Sequence, residues 1–183
     1  PLYIYRTNRK TKKMYLNANS IVKHLVLDPS QLKYGKPAQV GYDLTVCDIK
    51  QIHEGSHKLS VSGSHIDKMS YVQQPLVSEV GKPAERYWIL GPGVYSLTFH
   101  QGCKLPNNIK AEIIHRSSLL RMAVEIKSAV YDPGFKVEQM GAVMIVHNNI
   151  AIEYGSRVAQ IVMCETQPAE EYAGQFQDMN DVK

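Results

Sequence analysis

Residues 91–121 read GPGVYSLTFHQGCKLPNNIKAEIIHRSSLLR, and the fold assignment depends on their pattern. Two short apolar runs, at 93–99 and 110–114, alternate with clusters of Gly, Pro and Asn. Runs of this length between turn residues are typical of strands rather than of helices. The stretch therefore predicts two strands, followed by a polar segment at 115–121.

The same pattern continues on both sides of this stretch. Further short apolar runs occur at 39–46, 86–90, 142–147 and 157–164. Many short strands separated by turns predict an all-β domain with a β-barrel or jelly-roll-like architecture. Helical periodicity is limited to one short N-terminal helix, expected over 21–27. Asn19 or Ser20 is expected to cap this helix, and Asp28-Pro29 to end it.

The segment 52–81 is polar and rich in Ser, His and Gln, which predicts an irregular excursion between strands. His53, His57 and His65 fall within it. Three histidines in one segment would suit a metal ion, but their spacing matches no closed metal site. We therefore interpret them as exposed histidines without a chemical role.

Length and composition limit the classes of protein that fit. A chain of 183 residues with 44% hydrophobic and 21% charged residues suits a single domain over 1–183, with 168–183 as a mobile tail. No apolar stretch approaches the roughly 20 residues that span a bilayer. The basic N-terminal segment also lacks the apolar core of a signal peptide. A cytoplasmic protein without membrane contact is expected.

Charge and cysteine content argue against two further classes. The formal net charge is +4, with a basic cluster at 6–13, but no interleaved aromatic and basic residues accompany it. A nucleic-acid partner is therefore not expected. Cys47, Cys103 and Cys164 lie far apart without a CxxC or HxE pattern, which predicts reduced thiols. This spacing argues against a zinc-dependent nucleobase deaminase.

The densest polar cluster lies at 115–121, where two serine hydroxyls and two guanidinium groups follow an apolar run. Arginine forks and hydroxyls suit phosphate oxygens. If Ser117 and Ser118 begin a helical turn, their backbone N–H groups also point at the anion. A helix cap with a surface salt bridge is the alternative interpretation.

A carboxylate next to an aromatic residue follows at 131–135, in the sequence YDPGF. Asp132 is expected at the end of a strand, immediately before a turn, with Phe135 beside it. Asp-Pro-Gly is also an ordinary turn sequence. Taken alone, this segment predicts only a turn.

The order of these segments resembles that of the motifs in the dUTPase and dCTP deaminase superfamily. The four matching segments are GYDL at 41–44, RSSL at 116–119, YDPGF at 131–135 and GSRVAQ at 155–160. The resemblance covers roughly 25–177. It implies a dUTPase-like β-clip domain that binds a deoxyribonucleoside triphosphate with Mg²⁺. It also implies a homotrimer whose sites are built between subunits.

The resemblance implies roles for individual residues. Asp132 matches the aspartate that activates water in dUTPases, and Asp43 matches one that lies near the metal-bound triphosphate, in contact with the metal through water. Ser117 and Arg121 match residues that assist deamination in dCTP deaminases. The residues implied in substrate binding are Arg116, Ser118, Phe135, Arg157, Gln160, Tyr172, Gln175 and Gln177.

The motif details resemble the dCTP deaminase branch more than the plain dUTPases, because RSSLxR, DPGF and the tail GQFQ at 174–177 all match that branch. The branch has a water-activating glutamate in the strand after DPGF, whereas 142–149 contains no carboxylate. The connection at 136–141 is longer than in the family pattern, and its Glu138 is the nearby carboxylate that could take the place of this glutamate. Ser118 also stands where dUTPases prefer glycine, and their Gly-rich fifth motif is absent.

Three functions remain open from the sequence. The main prediction is a dUTPase-type hydrolase that converts dUTP or a related pyrimidine nucleotide to the monophosphate and pyrophosphate, with Asp132 as general base. A dCTP deaminase, monofunctional or bifunctional, is the first alternative. A catalytically silent nucleotide-binding or regulatory homologue is the second.

Overall fold

The computed structural model describes residues 14–27, 35–53, 55, 57–61, 63–66, 70–79 and 82–168. Strands dominate these residues, and the two helices among them are α1 (Ala18–Val22) and α2 (Ser117–Arg121). The strands are β1 (Leu25–Val26), β2 (Lys36–Pro37), β3 (Tyr42–Ile52), β4 (His57–Ser60), β5 (Gly63–Ile66), β6 (Tyr71–Gln73), β7 (Leu76–Glu79), β8 (Lys82–Leu90), β9 (Gly93–Phe99), β10 (Gly102–Lys104), β11 (Ile109–His115), β12 (Val124–Lys127), β13 (Lys136–Val137), β14 (Gly141–Val146), β15 (Ile150–Glu153) and β16 (Arg157–Glu165).

The main sheet has the strand order β11-β16-β3-β9-β14-β12, with β2 and β6 also paired to β3. Every pairing along it is antiparallel. Side chains alternate between its faces, so that Tyr95, Leu97 and Phe99 of β9 are buried while Val94 is exposed. The buried face encloses a single hydrophobic core. The prediction of an all-β, barrel-like domain is confirmed.

The two end strands of this sheet approach each other and nearly close it into a barrel. Ala111 of β11 forms an isolated antiparallel bridge with Tyr131. The hydroxyl of Ser128, immediately after β12, accepts a hydrogen bond from the Ile113 backbone N–H at 3.1 Å and donates one to the Ile113 carbonyl at 3.3 Å. One side chain therefore satisfies the backbone groups that a neighbouring strand would otherwise satisfy.

Three smaller sheets flank the barrel. Their strand orders are β1-β10-β13, β15-β8-β7 and the hairpin β4-β5. The second of them covers the core with Trp88, which is 1% exposed and contacts the Tyr154 ring at a centroid distance of 5.7 Å. These sheets place the 102–104 and 136–137 segments side by side, next to the turn at 131–135.

The predicted N-terminal helix is present, but its predicted bounds and caps are wrong. Asn17 is the N-cap, because its extended backbone leaves its side chain free to accept the Ser20 N–H at 3.0 Å. The helix ends at Val22 because Leu25 pairs with Cys103 in an extended conformation. Asp28-Pro29 lies outside the described residues. The sequence predicted one helix, whereas the described residues contain a second, α2.

Five of the six predicted strands need their bounds shifted. Backbone pairing continues beyond the apolar residues, so the run at 39–46 becomes Tyr42–Ile52 and the run at 86–90 becomes Lys82–Leu90. Strand β12 was missed, because it has only four residues and two of them are charged. The irregular excursion predicted at 52–81 is also wrong, because it contains four short strands (β4 to β7) that pair with one another or with neighbouring strands.

The cysteine prediction is confirmed, since Cys47, Cys103 and Cys164 are all free thiols. Burial raises the pKa of both Cys47 and Cys103 to about 12. In the part of the chain that the structure describes, no helix is long and apolar enough to cross a bilayer. The predicted tail at 168–183 lies outside the described residues apart from Pro168.

Candidate functional site

The Asp43 carboxylate is the centre of a buried cluster of charged and polar side chains. Its Oδ2 accepts a hydrogen bond from Arg157 Nη1 at 3.1 Å, and its Oδ1 accepts one from Gln160 Nε2 at 2.8 Å. Arg116 Nε lies 3.6 Å from Oδ1. The Asp43 side chain is 5% exposed, whereas the two arginines are 31% and 38% exposed. The carboxylate is thus buried beneath the guanidinium groups that it binds, and these groups are partly open to solvent.

Sheet register explains why this cluster forms. Gln160 of β16 lies directly opposite Asp43 of β3, and a β-bulge between Arg157 and Ala159 changes the register beside them. Bulges re-aim side chains, and this one accompanies the turn of Arg157 toward Asp43. Arg116 follows β11, donates its backbone N–H to Val158 at 3.2 Å and its Nη1 to the Arg157 carbonyl at 3.2 Å. Three of the four predicted motifs therefore converge on one carboxylate.

Helix α2 carries the hydroxyls and the second arginine of the RSSLLR segment. Ser117 and Ser118 begin the helix, as the anion-binding interpretation required, and both are exposed. Arg116 is the N-cap but makes no side-chain capping hydrogen bond. Leu119 is buried and anchors the helix, whereas Arg121 is exposed. The two serine hydroxyls and the Arg121 guanidinium face solvent rather than the core.

A second group of residues surrounds a cavity of about 480 Å³. Asp132 and Phe135 of the YDPGF segment form part of its wall, together with Tyr131. The Tyr131 and Phe135 rings contact edge to face at a centroid distance of 5.3 Å and an interplanar angle of 66°. Opposite this aromatic pair lie residues from the start of β14 and from β12, β9 and the segment after β12. They are Gly141, Ala142, Val143, Ser96, Lys127, Ser128, Ala129 and Val130.

The cavity exists because β12 separates from β14. The ladder between the two strands ends at the pair Lys127–Val143. Beyond that pair, Ser128 turns toward β11, while Tyr131 reaches back across the gap and donates its hydroxyl to the Gly141 carbonyl at 2.7 Å. Burial raises the Tyr131 pKa strongly, so the hydroxyl remains a donor at neutral pH. Backbone groups and aromatic rings therefore form part of the cavity wall.

Asp132 differs from Asp43 in its surroundings. The turn is closed by a hydrogen bond from the Phe135 N–H to the Asp132 carbonyl at 3.1 Å, and the Asp132 side chain is exposed at its edge. No described residue forms a hydrogen bond or ion pair with its carboxylate. Asp43, by contrast, is neutralised by two guanidinium groups. The Asp132 carboxylate is therefore open to solvent, whereas the Asp43 carboxylate holds the arginines.

The carboxylate expected of a deaminase is missing from this cavity. Strand β14 carries no acidic residue, as the sequence indicated. Glu138 is exposed and does not line the cavity. Its connection is fixed at the end of β9, since the Met140 N–H donates to the Gln101 carbonyl and the Phe99 N–H donates to the Met140 carbonyl, both at 2.9 Å. Among the described lining residues, Asp132 alone carries a carboxylate.

The structure divides the predicted site residues into separate groups. One group gathers Asp43, Arg116, Arg157 and Gln160, and another gathers Asp132 and Phe135. Within the described part of the chain, no hydrogen bond or ion pair joins the two groups. Ser117, Ser118 and Arg121 lie on α2, beside the first group. Tyr172, Gln175 and Gln177 lie outside the described residues.

Ser96, Lys127 and Ser128 also line the cavity, although the sequence did not indicate them as site residues. Lys127 and Glu125 lie on the outward face of β12, and their side chains form an ion pair at 2.6 Å. A strand assignment for 124–127 would have placed Lys127 beside the YDPGF turn. Ser128 carries no recognisable signal, because its role depends on Ile113 from another strand.

The described residues contain no cluster of three or more His, Cys, Asp or Glu side chains able to hold a metal ion. Mg²⁺ that arrives with a triphosphate does not require such a cluster, because phosphate oxygens and water provide most of its ligands. A single carboxylate within reach of a water shell is enough. The oxygen atoms of Asp43 fit this limited role, since two oxygens offer more lone pairs than the three donors around them use.

Comparison with known proteins adds three findings. A family model described as dCTP deaminase-like matches residues 8–166. A deoxyuridine 5′-triphosphate nucleotidohydrolase of Methanocaldococcus jannaschii is 33% identical over 127 residues, which are 69% of this chain and 77% of the relative. A probable enzyme of the same name from Halobacterium salinarum is 35% identical over 86 residues, 47% of this chain, and the match spans about half, 52%, of that relative.

Among solved structures, the 2′-deoxycytidine 5′-triphosphate deaminase of Agrobacterium tumefaciens has a similar fold. The TM-score is 0.57 and the sequence identity is 18%, with 84% of this chain and 48% of that chain covered. At this identity the likeness concerns the fold alone.

Proposed function

The chain belongs to the dCTP deaminase-like family of the dUTPase and dCTP deaminase superfamily, and on that premise we propose that it is a dUTPase-type nucleotidohydrolase. The substrate is dUTP or a related pyrimidine deoxyribonucleoside triphosphate, and the products are the monophosphate and pyrophosphate. The supporting observation is the acidic content of the cavity. Asp132 is its one carboxylate among described residues, at the position of the water-activating aspartate of dUTPases, while the strand that holds the deaminase glutamate has none.

In the proposed reaction, Asp132 accepts a proton from a water molecule whose oxygen attacks the α-phosphorus. The bond between the α-phosphorus and the bridging oxygen to the β-phosphate breaks, and pyrophosphate leaves. Phe135 lies against the deoxyribose, which excludes water from that face. Arg116 and Arg157, steadied by Asp43, provide positive charge for the phosphate oxygens, and Ser117, Ser118 and Gln160 provide further hydrogen-bonding groups.

Mg²⁺ is part of this proposal and neutralises charge on the triphosphate when bound. Asp43 would reach its water shell, while Arg116 and Arg157 hold the carboxylate in place. Because the chain's own contribution is one indirect carboxylate, the protein alone should bind Mg²⁺ weakly.

A homotrimer is also proposed. The arginine group and the cavity are separate within one protomer, and one triphosphate must reach both, which favours sites completed by a second copy. Three free thiols fit a reducing compartment, so we propose a cytoplasmic location.

The test of the proposed function is Asp132→Asn. We expect turnover of dUTP to fall by at least about a hundredfold, because a general base is removed, while nucleotide binding stays within a few fold. Pyrophosphate release and calorimetric binding measure the two quantities. Glu138→Gln is the matched control and should leave both unchanged. Retained pyrophosphate release in the Asp132 variant would contradict the assignment.

The deaminase alternative is favoured by the family match and by Ser117 and Arg121 of α2. It predicts ammonia release from dCTP that depends on these two residues and on Glu138. Because Glu138 does not line the cavity, we expect that no ammonia is released during long incubation with dCTP and Mg²⁺. If the wild-type chain releases ammonia and the Glu138→Gln variant does not, deamination is established instead.

Two assays with the same nucleotides distinguish a catalytically silent homologue from a hydrolase: thermal stabilisation by the nucleotide, and release of pyrophosphate. A nucleotide sensor is stabilised by its ligand without consuming it. We expect dUTP both to raise the melting temperature and to be hydrolysed. Stabilisation without pyrophosphate release by the wild-type chain would favour the sensor.

A further inference from the structure

The polar side chains that the fold buries are concentrated beside the arginine group. Among the described residues, the buried polar or charged side chains belong to Asp43, Thr45, His100 and Gln101. Thr45 lies two residues after Asp43 in β3, so the two side chains lie on the same face of that strand. Burial of polar groups is unfavourable unless they are hydrogen-bonded. The contacts of Thr45 therefore decide what this buried group can do.

Thr45 is held by the two residues that follow β9. Gln101 Oε1 accepts a hydrogen bond from the Thr45 backbone N–H at 3.0 Å, and Gln101 Nε2 donates to the Thr45 hydroxyl at 3.0 Å. The His100 backbone N–H donates to the Thr45 carbonyl at 2.9 Å, and His100 Nδ1 lies 3.1 Å from the Thr45 hydroxyl oxygen. The backbone and the side chain of Thr45 are thus fixed to the same pair of buried residues.

The turn that precedes Arg157 is hydrogen-bonded to the residue after Thr45. The Val46 N–H donates to the Ser156 carbonyl, and the Gly155 N–H donates to the Val46 carbonyl, both at 3.1 Å. These bonds continue the pairing of β3 and β16 into the turn. A shift of β3 at Thr45 would therefore move the turn from which Arg157 begins.

A second route reaches the same turn through His100. Its Nε2 lies 3.1 Å from the Tyr154 hydroxyl oxygen, and the two rings meet edge to face at a centroid distance of 5.3 Å. Hydrogen-bonded networks of buried side chains make the surrounding core more rigid. The turn that begins at Tyr154 is therefore fixed by side chains as well as by the backbone.

Arg157 depends on this turn for the direction of its side chain. It lies directly opposite Thr45, at the start of the β-bulge, and its Nη1 reaches Asp43 Oδ2 at 3.1 Å. The Arg157 side chain is 38% exposed, so packing on its outer side does not hold it. The position of its backbone therefore decides whether the guanidinium meets the buried carboxylate.

We propose that Thr45 is a positioning residue for the triphosphate, and that it acts through Arg157. Gln101 and His100 fix Thr45, the ladder and the turn extend this constraint to the bulge, and the bulge directs the guanidinium toward Asp43 and the phosphate oxygens. Thr45 is 0% exposed and so does not touch the substrate itself. This inference rests on the proposed function, which gives Arg157 its role in phosphate binding.

The test is a double-mutant cycle, measured by calorimetric titration of the full chain with dUTP in the absence of Mg²⁺. Thr45→Val keeps the shape of the side chain but removes its hydroxyl, and it should weaken dUTP binding by at least about fivefold, because small misplacements of a positioning group are costly. Thr45→Ser keeps the hydroxyl and should restore binding to near the wild-type value. In an Arg157→Met background, Thr45→Val should cause no further loss, because the residue through which it acts is gone.

Two results of this cycle would overturn the proposal. One is wild-type affinity in Thr45→Val, and the other is an equal loss with and without Arg157. A purely structural role would also leave the kinetic pattern unspecific, whereas we expect Thr45→Val to raise the KM for dUTP with little change in kcat, because Asp132 is not disturbed.

Tyr154→Phe provides a second variant that leaves the contacts between Thr45 and Gln101 in place. It removes only the hydroxyl next to His100 and should weaken dUTP binding by a few fold. Tyr95→Phe is the matched control, since the Tyr95 hydroxyl donates to the Gly91 carbonyl at 2.8 Å, at the other end of β9. It should bind dUTP like the wild type, and equal losses in the two variants would contradict the proposal.

Nitrogen-15 relaxation of the arginine Nε–H groups tests the positioning without any nucleotide. Thr45→Val should increase the fast motion of the Arg157 Nε–H group, while that of Arg121, which is exposed on α2, stays unchanged. Unchanged motion of Arg157 would overturn the inference. If the wild-type chain binds dUTP but releases no pyrophosphate with Mg²⁺, the proposed hydrolysis fails, whereas a loosened Arg157 and weaker binding in Thr45→Val still support this inference.

Discussion

At the scale of single residues, we propose opposite tasks for two aspartates. Asp43 is buried and shared among two guanidinium groups and an amide, whereas Asp132 is exposed and has no described partner. The first arrangement suits a structural anion that orders arginines. The second suits a base that must exchange a proton with water.

Asp43→Asn tests the first task. The amide keeps the shape but loses the charge that holds Arg116 and Arg157, so the free energy of unfolding should fall by about 1–3 kcal/mol. The KM for dUTP should rise more than kcat falls, because phosphate binding is disturbed rather than proton transfer. Urea denaturation and steady-state kinetics measure these effects.

Glu112→Gln is the control, because it removes a carboxylate from the surface pair with Lys110. Exposed pairs of this kind contribute little, so stability and kinetics should stay near wild type. Equal effects of the two substitutions would show that Asp43 has no special role.

Both aspartates could be predicted from sequence, because each lies in a recognisable motif. Their different surroundings could not. The hydrogen bond between Gln160 and Asp43 joins residues 117 positions apart, and it depends on a strand register that local sequence does not encode. The same limit applies to Ser128, whose partner Ile113 belongs to a different strand.

At the scale of elements, the strands were easier to predict than the short helices. Strand Gly93–Phe99 was predicted with its observed bounds, because alternating burial matches its sequence. Helix α1 was predicted too late in the chain, at 21–27, because the sequence does not show that Leu25 and Val26 pair with β10 and end the helix early. Strand β12 was missed altogether, because pairing with β14 compensates for its charged residues.

Helix α2 ends with a backbone conformation that its sequence does not favour. Ala123 has a φ of +56°, in the left-handed region where glycine is usual after a helix. Ala123→Gly should therefore raise the free energy of unfolding by about 0.5–1 kcal/mol. Thermal or urea denaturation provides the measurement.

Ala151→Gly, at an exposed position of β15, is the matched control. There the added backbone freedom should lower stability by about 0.5–1 kcal/mol. A loss of stability in both variants would contradict the strain assigned to Ala123.

At the scale of the whole molecule, the fold buries several weak acids in their neutral form. Burial raises the pKa of the Cys47 and Cys103 thiols to about 12, and it also raises the pKa of the Tyr42, Tyr95 and Tyr131 hydroxyls. Most of these groups face the core that the barrel encloses. Stability should therefore respond to alkaline pH as a property of the whole domain.

The folded state holds these protons more tightly than the unfolded state does. The resulting stability is fully present below the ordinary pKa of a thiol, near pH 9, and is lost as the pH rises toward 12. Melting temperatures should stay nearly constant from pH 8 to 9 and fall steadily from pH 9 to 11. Cys103→Ala should make that fall shallower, even if it lowers the starting value. A flat profile would contradict the raised pKa values.

The tail prediction also belongs to the whole molecule. Residues 169–183 lie outside the described residues, so the roles of Tyr172, Gln175 and Gln177 remain predictions from the family resemblance. Truncation before Tyr172 should leave the proposed trimer intact by light scattering yet weaken nucleotide binding or turnover. Full activity after truncation, or a monomer in the untruncated protein, would contradict this prediction.

The closure of the barrel between β11 and β12 has a consequence for its motions. A continuous ladder spreads its hydrogen bonds over many residues, whereas here one serine hydroxyl and one isolated bridge join β11 to the segment that follows β12. Such a seam opens more easily than the rest of the sheet, so the amide of Ile113 should exchange with deuterium sooner than amides inside the main ladders. Ser128 and Tyr131 also line the cavity, so an occupied cavity should slow that exchange. The barrel would then open beside the cavity in which we propose that the ligand binds.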